Sequence, residues 1–590
     1  MTDVLDYSRD GLFDNLGLTR LRESYMKEGE DSPQERFWYV SEKFSSTPEH
    51  AKRLYEYSSK HWLSYSTPIL SYGRSKKGLP ISCFLSYLED SAEGLVETLS
   101  EVNWLSMLGG GVGIHARIRG VDDKSTGVMP HLKVYDASSL AYRQGRTRRG
   151  SYAAFVDIDH PDILRFIEMR KPTGDQNIRT LNLHHGVNIS DKFMELIEQC
   201  MRDPEVDDTW ELKQPNNDEV VTTVSAKYLW QKILELRMQT GEPYLIFADT
   251  ANRAIPSWLK DQGLKIHGSN LCTEIFLPTS AERTAVCCLS SVNLEYYDDW
   301  KDNPLFIRDV MEMLDNVLQY FIDNAPESVS RARLSALRER SVGLGALGFH
   351  AYLQKNMLPW ESVLAKVKNR EIFRHLHLEC QKADEYLVAL RGACPDALEH
   401  GVKRRFSHWM AVAPNASSSL IMGNTSPSVE PWRANVFRQD TLSGAYVTKN
   451  KWLIRELEKL RMNTDEVWAT IIANDGSVQH LEIPEDVKEV FKTAMEIDQR
   501  WLIDFASDRQ EYIDQGQSLN LFFRPDVNIK YLHTVHFLAW KQGLKSLYYL
   551  RSDKLRKADK VGTRIERKRI EDEIDLTAVA DGDVCVACEG

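Results

Sequence analysis

Amphipathic helical segments alternate with short apolar runs along most of this chain. Residues 92–118 have the pattern of a helix, a glycine loop and a strand, and 227–241 and 305–323 are typical of amphipathic helices. The apolar runs 242–249 and 284–297 are typical of buried strands. Because helices and strands alternate over several hundred residues, the sequence predicts an α/β architecture.

Both ends of the chain depart from this alternation. Residues 1–66 repeat apolar positions at helical spacing and predict a helical N-terminal region, which Pro68 and Gly73 bring to an end. Residues 551–590 are highly charged and poor in aromatic side chains. Such a segment cannot bury enough apolar surface to stay ordered, so a flexible C-terminal tail is predicted.

Composition argues against several classes of function. The 590 residues carry a formal net charge of −12, whereas a protein that binds nucleic acid through its phosphates needs a basic excess. No run approaches the roughly 18 apolar residues that span a bilayer, and the N-terminus has no apolar signal segment. The chain is therefore expected in the cytoplasm, with no nucleic-acid or membrane partner. In that reducing compartment its nine cysteines are expected to be free, catalytic or metal-bound.

The tail ends in Cys585-Val586-Ala587-Cys588. Two thiols on a flexible arm suit thiol–disulfide exchange, which implies that a disulfide forms elsewhere in the protein and is re-reduced. Half of a zinc site is the alternative interpretation. Zinc would need a second pair of thiols or imidazoles at suitable spacing, and the other close pair, Cys287-Cys288, is adjacent in a strand-like run.

The segment 270–274 places an amide, a thiol and a carboxylate within five residues. On an extended loop alternate side chains share one face, so Asn270, Cys272 and Glu274 are expected to point the same way. Cys83, just after a turn, and Cys287, at the start of CCLSSVNLE, are further candidates. Taken alone, each of these cysteines is more often a small buried apolar residue than a catalyst.

Residues 343–348, GLGALG, match the GxGxxG pattern of dinucleotide-binding proteins. That motif should follow an apolar strand, but the preceding SALRERSV is charged and helical in character. A nicotinamide-dependent dehydrogenase is therefore a weak alternative.

Taken together, these motifs resemble one family. Asn-x-Cys-x-Glu, with Ser-Cys upstream, Cys-x-Leu-Ser downstream and the cysteine-pair tail, resembles the large, catalytic subunit of class I ribonucleotide reductase. AVAPNASSSLIMGNTSPSVEP, YIDQGQSLNLF and GLKSLYYLRS add to the resemblance, and all lie in family order between Thr67 and Gly590. The resemblance implies a ten-stranded α/β barrel at 67–550, built from two five-stranded halves with a central finger loop carrying Cys272. It also implies that the tail at 551–590 is redox-active. The helical region at 1–66 departs from many members of the family, because none of it resembles their N-terminal ATP cone.

The resemblance implies that ribonucleoside diphosphates are reduced to 2′-deoxyribonucleoside diphosphates by radical chemistry. Cys272 would become a thiyl radical that removes the 3′-hydrogen, Glu274 would act as general base on the 3′-hydroxyl, and Asn270 would hold the ribose. Cys83 would protonate the departing 2′-hydroxyl, and Cys83 with Cys287 would supply two electrons and end as a disulfide. Cys288 offers a second sulfur at this place, but the alignment of Cys-x-Leu-Ser favours Cys287. A non-catalytic relative that only binds effectors is disfavoured, because every catalytic cysteine position is filled.

The same resemblance assigns the segment 414–418 to the substrate diphosphate. The segment could open a helix whose free amide groups face an anion, although a helix cap is the simpler interpretation without the family context. The residues implied in substrate binding are Thr67, Ser82, Cys83, Asn270, Cys272, Glu274, Pro414, Asn415, Ala416, Ser417 and Ser418.

Tyr548 and Tyr549 are adjacent in an apolar run, where tyrosines are usually packing residues. In class I large subunits such a pair relays a radical from a separate small subunit. The resemblance therefore implies a metal-containing small subunit as partner, with no cofactor and no metal in this chain. The alternative is a class II reductase, which uses adenosylcobalamin and lacks the tyrosine pair.

Asp90, Ser91 and Arg119 match the family's specificity site, which binds a deoxynucleoside triphosphate or ATP at the interface of a homodimer. Solvated surface residues are the alternative. The loop 144–150 would carry the effector's signal to the substrate. Without an ATP cone, dATP is expected not to switch the enzyme off. Thioredoxin or glutaredoxin is the implied external reductant, acting through Cys585 and Cys588.

Overall fold

The computed structural model describes residues 4–74, 78–142, 150–441 and 444–552. Its helices are α1 Asn15–Ser24, α2 Pro33–Lys43, α3 Pro48–Ser59, α4 Thr67–Leu70, α5 Ala92–Met107, α6 Val128–Ala141, α7 Ile163–Ile167, α8 Asp191–Arg202, α9 Ala226–Thr240, α10 Ala248–Arg253, α11 Ser257–Lys260, α12 Tyr297–Trp300, α13 Phe306–Asn324, α14 Ser330–Glu339, α15 Phe349–Lys355, α16 Val363–Arg391, α17 Pro395–Glu399, α18 Ala416–Ile421, α19 Lys451–Lys459, α20 Asp465–Ala473, α21 Glu485–Val490, α22 Gln499–Gln510 and α23 Ile529–Lys541.

The strands are short and are spread between the helices along the whole chain. They are β1 Leu63–Tyr65, β2 Cys83–Leu88, β3 Gly111–Ala116, β4 Tyr152–Asp157, β5 His184–Ile189, β6 Thr209–Lys213, β7 Val220–Ser225, β8 Tyr244–Phe247, β9 Ala285–Asn293, β10 Val342–Leu347, β11 Val436–Thr441, β12 Gly444–Lys449, β13 Leu521–Phe523, β14 Ser546–Leu547 and β15 Leu550–Ser552.

The N-terminal region is helical, as its sequence predicts, with one exception. Ser32 and Thr47 accept backbone hydrogen bonds at the starts of α2 and α3, and each is followed by proline at the first helical position. Residues Leu63–Tyr65, expected to be helical, instead form β1, which pairs antiparallel with β9. All three residues are buried, so this strand attaches the helical region to the sheet.

Five parallel strands form one half of a barrel. They lie in the order β2-β3-β4-β5-β8, with neighbouring strands paired in parallel. Helices separate β2 (Cys83–Leu88) and the other four strands from one another along the chain, because parallel neighbours need a long crossover connection.

The second half closes the barrel. β9 pairs antiparallel with β2 at one seam, and β14 pairs antiparallel with β8 at the other. Between the seams, β9 pairs with β10, β10 bridges to Met410, Val412 bridges to Gln517, and β13 pairs with β15. The five members of this half are β9, β10 and the segments 409–412, 515–523 and 546–552. The ten-stranded barrel of two five-stranded halves is therefore confirmed.

Alternate residues of each barrel strand face two different apolar cores. Cys83, Leu85, Phe155 and Cys287 belong to a cluster inside the barrel. Phe84, Val286 and Cys288 belong to a larger cluster between the barrel and its surrounding helices. This period of two follows from the pleat of the strands and separates the chemistry of the interior from the outer packing.

The placement of elements decides one of the alternative interpretations. The GLGALG pattern lies almost entirely within β10, a fully buried strand that follows α14, and not in a loop between a strand and a helix. This placement removes the basis for a dinucleotide-binding loop. Within 4–74, 78–142, 150–441 and 444–552, no helix is long and apolar enough to cross a membrane.

Candidate active site

The segment 270–274 lies at the centre of the barrel and forms a tight turn. The Asn270 carbonyl accepts from the amide of Thr273 at 3.2 Å, and the Asn270 side-chain oxygen accepts from the amides of Glu274 and Ile275, both at 3.1 Å. Thr273 has a φ of 65°, in the left-handed region. Cys272 is thereby held at the tip of the turn and is 1% exposed.

This turn corrects the expected extended conformation of the loop. Alternation of side chains therefore does not bring the three groups together. Instead, the Asn270 side chain caps the turn and bends the backbone back, which is how short amides compete with regular structure. The Asn270 side-chain nitrogen and a Glu274 carboxylate oxygen lie 3.4 and 3.8 Å from the same sulfur, that of Cys83.

Barrel strands enclose the finger loop from several sides. A Cβ atom on Gly113 of β3 would lie 1.9 Å from the Ser269 carbonyl, so the loop rests directly on the backbone of that strand. On the other side, the amide of Gly516 donates to the Glu274 carbonyl at 2.8 Å. The Ser546 hydroxyl donates to the Thr273 carbonyl at 2.9 Å. The loop therefore passes through the barrel interior, as the fold predicts.

The two strands at the first seam bring a pair of cysteines face to face. Cys83 of β2 is the register partner of Cys287 of β9. Both are buried inside the barrel, whereas Cys288 lies in the outer core. Burial raises the pKa of the Cys287 thiol well above its ordinary value. The geometry thus favours Cys287 over Cys288 as the partner of Cys83.

The Glu274 carboxylate is held by the neighbouring barrel segment. The Ser518 hydroxyl lies 3.0 Å from one carboxylate oxygen and 2.5 Å from the Cys272 carbonyl. The other carboxylate oxygen faces the Cys83 thiol, which is also 3.4 Å from the Ser82 hydroxyl. A proton acceptor and a proton donor therefore lie side by side, both buried inside the barrel.

Tyr548 and Tyr549 lead away from the turn. The Tyr548 hydroxyl donates to the Cys272 sulfur at 3.6 Å, and the two tyrosine rings have centroids 4.3 Å apart. Tyr244 packs against both rings, at 4.8 and 5.1 Å, and burial among these groups raises its pKa well above its ordinary value. The Tyr549 hydroxyl lies 3.3 Å from His184, whose ring contacts the Glu242 carboxylate at 2.7 Å. Sulfur and two phenols thus form a continuous chain of contacts.

The segment 414–418 opens a helix, as predicted. Asn415 adopts a φ of 54° and precedes α18, and its side-chain nitrogen donates to Ser291 of β9 and to the Ala346 carbonyl of β10. Ser417 and Ser418 are buried in the first turn, after Pro414 and Ala416. The segment is thereby fixed at the end of the strand that carries Cys287.

The other predicted substrate contacts lie in different parts of the chain. Ser82 immediately precedes β2 and contacts Cys83 as described above. Thr67 begins α4, and its hydroxyl lies 3.3 Å from the Tyr25 hydroxyl. Thr67 therefore lies at the junction of the helical region and the barrel.

The predicted effector residues form a separate cluster at the start of α5. The Arg119 guanidinium pairs with the Asp90 carboxylate at 3.3 Å, and the Arg119 amide donates to the same carboxylate at 3.3 Å. Ser91 caps α5 by accepting from the amide of Gly94 at 3.0 Å. The three residues are brought together, but each also has an ordinary structural role.

Several predicted elements lie outside the described residues. They are Cys585 and Cys588 of the tail and residues 143–149 of the loop expected to transmit the effector signal.

One group of residues of metal-ligand type lies away from this centre, in the part of the chain that the structure describes. His50, Asp309 and Glu312 have ligand atoms close together, between α3 and α13. The Asp309 carboxylate is already bound by Arg53 at 2.6 and 2.9 Å and by Tyr57 at 2.9 Å. The cluster is a buried ion-pair network that ties α3 to α13.

Sequence reasoning missed Gln515 and Ser518 as parts of the site. Gln515 and Ser518 contact Cys287, Glu274 and the finger loop. Both residues lie in a run noted only for its family resemblance. A glutamine and a serine carry no distinctive chemical signal by type, and only the barrel register brings them to the cysteines.

Comparisons with known proteins agree with this geometry. The chain matches the family model described as ribonucleotide reductase, barrel domain, over residues 81–396 and 395–550, and the one described as ribonucleotide reductase, all-alpha domain, over 11–78. It is 48% identical to the ribonucleoside-diphosphate reductase large subunit of Invertebrate iridescent virus 3, covering 95% of this chain and 96% of that protein.

Two further relatives extend this similarity. The putative ribonucleoside-diphosphate reductase large subunit of Frog virus 3 (isolate Goorha) is 48% identical, with 93% of this chain and 94% of the relative covered. Among solved structures, the Actinobacillus ureae class Id ribonucleotide reductase alpha subunit superposes with a TM-score of 0.81 at 35% identity. That superposition covers 92% of this chain and 97% of the other.

Proposed function

This chain belongs to the ribonucleotide reductase large-subunit family, and from that premise we propose how its residues work. The enzyme reduces ribonucleoside diphosphates to 2′-deoxyribonucleoside diphosphates, as its relatives' names state. The reaction replaces a hydroxyl by hydrogen, releases water and oxidises two thiols to a disulfide. Two thiols, one radical-bearing sulfur, a base and a proton donor are therefore needed at one place.

We assign these roles within the barrel interior. Cys272 is the sulfur that takes the 3′-hydrogen, and Glu274 is the base that accepts the 3′-hydroxyl proton. Cys83 gives its proton to the departing 2′-hydroxyl. Cys83 and Cys287 then supply the two electrons and become joined, which their opposed register positions allow. Asn270 holds the turn and orients the ribose.

One contact supports a class I mechanism in particular: the Tyr548 hydroxyl lies 3.6 Å from the Cys272 sulfur. The Tyr549 ring lies tilted beside it, with centroids 4.3 Å apart, so a proton and an electron can pass to the sulfur through two phenols in direct contact. A metal-containing small subunit would supply the radical at the outer end. The class II alternative is not favoured, because the solved relative is a class Id α subunit.

We further propose that 414–418 binds the diphosphate and that Thr67 and Ser82 assist it. Support comes from the hydrogen bonds that fix Asn415 to Ser291 and Ala346, because they keep the buried hydroxyls of Ser417 and Ser418 at the barrel end. Hydroxyls and helical amides are suitable donors for a diphosphate.

A homodimer that binds an effector triphosphate beside Asp90, Ser91 and Arg119 is also proposed. α5 exposes Val96 and Trp104, which are 70% and 43% exposed, one turn or more beyond this cluster. A second copy would cover these apolar side chains. The external reductant is proposed to be a dithiol protein such as thioredoxin or glutaredoxin.

The deciding experiment is CDP reduction by the purified chain, with dithiothreitol and an effector triphosphate present. One half of the sample receives a small subunit that carries a radical, and the other half receives adenosylcobalamin. Turnover is expected with the small subunit alone. Turnover with adenosylcobalamin alone would assign class II and reduce the tyrosine pair to packing. Absence of dCDP in both halves would count against the proposed roles.

A further inference from the structure

Gln515 lies fully buried beside the cysteine pair, in the segment that bridges to Val412. Its side-chain nitrogen donates to the Cys287 sulfur at 3.4 Å and to the Val342 carbonyl at 3.0 Å. Its side-chain oxygen accepts from the amide of Phe276 at 3.2 Å. Both side-chain amide hydrogens and the side-chain oxygen of Gln515 therefore have partners, and the three partners lie on different elements.

The arrangement requires a carboxamide. A carboxylate could not donate to the sulfur, and an apolar side chain could neither donate nor accept. The backbone of Gln515 is also fixed, because the buried Lys545 ammonium donates to its carbonyl at 2.6 Å. The side chain thus joins the strand of Cys287, the neighbouring strand β10 and the finger loop two residues after Glu274.

We propose that Gln515 is a positioning residue for Cys287, which holds this sulfur opposite Cys83 and assists re-reduction of their disulfide. The inference rests on the proposed function, since it assigns a task within the same site. Burial raises the pKa of the Cys287 thiol, and the Gln515 amide hydrogen opposes that rise by stabilising the thiolate.

In the re-reduction of the disulfide, Cys287 is the sulfur that leaves. A thiolate of a dithiol external to the barrel, either the Cys585–Cys588 pair or a small dithiol such as dithiothreitol, attacks the Cys83 sulfur, and the Cys83–Cys287 bond breaks. Cys287 departs with the electron pair, stabilised by the Gln515 donor, because a better-stabilised thiolate leaves faster. The second external thiol then attacks the mixed disulfide and releases Cys83. Two thiols are regenerated here, and the external dithiol ends as a disulfide.

A neighbouring residue provides a matched control. Gln517 is also a buried glutamine, but its side chain bonds to Arg509 at 2.9 Å, to the Ala506 carbonyl at 2.9 Å and to Gln510 at 3.2 Å. These contacts anchor α22 and do not reach the cysteines or the finger loop. Its removal reports the general cost of losing a buried glutamine in this segment.

The test compares Gln515→Leu and Gln515→Glu with Gln517→Leu in the full chain. Each protein is mildly oxidised, and the Cys83–Cys287 disulfide is then reduced with dithiothreitol. Reappearance of the two thiols is followed by isotope-coded alkylation and peptide mass spectrometry. Both Gln515 variants are expected to be re-reduced at least about tenfold more slowly, since a hydrogen bond to an ionised group is lost. Gln517→Leu is expected to stay within about twofold of the parent.

A pH series adds a readout that a purely structural role would not change. Without the donor, alkylation of the Cys287 thiol is expected to need a higher pH in Gln515→Leu than in the parent. Parent-like re-reduction in both Gln515 variants, or equal slowing in Gln517→Leu, would overturn the proposal. The measurement uses no radical and no nucleotide, so its failure is distinguishable from failure of the proposed function, which the CDP assay tests.

Discussion

The Ser518 hydroxyl contacts both Cys272 and Glu274, the proposed base. The Ser518 hydroxyl lies 3.0 Å from the Glu274 carboxylate and 2.5 Å from the Cys272 carbonyl. Both acceptors belong to the same tight turn, so a single side chain orients the carboxylate and holds the turn against the segment 515–518.

We expect Ser518→Ala to lower kcat for CDP reduction by about tenfold or more, because the hydroxyl that contacts the Glu274 carboxylate is lost. KM for CDP should change by less than about threefold, since Ser518 is not a proposed substrate contact. Ser546→Ala is the control, because that hydroxyl bonds to the Thr273 carbonyl at 2.9 Å and not to the carboxylate. Unchanged kcat in Ser518→Ala would remove Ser518 from the site.

The residues that the sequence could identify are those with reactive side chains. Cys83, Cys272, Glu274 and Cys287 were predicted because thiols and a carboxylate occur in a recognisable pattern, and their assigned roles stay predictions. Gln515 could not be predicted, because its role depends on three hydrogen bonds to segments 170 to 240 positions away in sequence. The alignment of Cys-x-Leu-Ser already favoured Cys287 over Cys288, and the face of β9 that points into the barrel supplies the physical reason.

An acidic residue far from the site is held in an unusual protonation state. Glu339 is fully buried, and burial raises the pKa of its carboxyl from an ordinary 4.5 to about 8. Arg283, the nearby cation, binds Asp396 at 2.6 and 3.0 Å and stands 3.4 Å from Glu339. The positive charge of Arg283 is therefore balanced mainly by Asp396, and Glu339 retains its proton.

This raised pKa makes the stability of the protein depend on pH. The unfolded chain loses the Glu339 proton near pH 4.5 and the folded protein near pH 8. The group's contribution to stability is therefore complete below pH 4.5 and is lost progressively as pH rises to about 8. We expect Glu339→Gln to stabilise the protein at pH 8, by about 4 kcal/mol, and to change it little at pH 5.

Thermal or urea unfolding at the two pH values provides the measurement. Glu399→Gln is the control, because Glu399 is an exposed partner of Arg338, which lowers the pKa of the Glu399 carboxyl. Removing that charge should not stabilise the protein at pH 8. If Glu339→Gln and its parent showed the same pH dependence, Glu339 would be ionised in the folded protein.

At the scale of elements, the finger loop depends on a strand with no side chain at one position. Gly113 of β3 faces the loop so closely that a Cβ atom would lie 1.9 Å from the Ser269 carbonyl and 2.9 Å from the Asn270 Cα. Both contacts are with backbone, which cannot rotate away as a side chain could. The finger loop can therefore take this position only because residue 113 of β3 is glycine.

We expect Gly113→Ala to push the loop off the strand and to lower kcat by at least about 100-fold, because displacement of reacting groups by about 1 Å has effects of that size. Turnover and the extent of folding by circular dichroism are measured together. Gly11→Ala is the control, since a Cβ atom there meets nothing within 4 Å. A Gly113→Ala protein with normal turnover would mean that the loop can approach the cysteines from another position.

Most elements were predictable because their signals are local. The helices at 92–107, 226–240 and 306–324 and the strand at 285–293 lie where apolar spacing predicted them. The turn at 270–274 was not predictable, because it is determined by one side-chain amide and by the barrel around it. β1 was missed for a similar reason, since its pairing with β9 joins residues more than 220 positions apart. The boundaries at residues 66 and 550 stay predictions.

At the scale of the whole molecule, barrel closure is what creates the site. The two antiparallel seams place Cys83 opposite Cys287 at one side and bring residues 546–549 next to β8 at the other. The finger loop crosses between the seams, so the Cys272 sulfur can contact Tyr548 while its neighbours face Cys83. No local segment contains this arrangement, which explains why separate motifs could suggest the parts of the site and not their geometry.

The tyrosine pair leads away from the Cys272 sulfur at the centre of the barrel, and this contact gives the last prediction. Tyr548→Phe removes the hydroxyl 3.6 Å from the Cys272 sulfur and keeps the ring packing. We expect turnover with the small subunit to fall by at least about 1,000-fold, whereas CDP binding, measured by equilibrium dialysis, stays within about twofold. Tyr244→Phe is the matched control, because that ring packs against both tyrosines but does not bond to the sulfur. Equal loss in Tyr244→Phe would route the radical through Tyr244, and full turnover in Tyr548→Phe would exclude a class I relay through this pair.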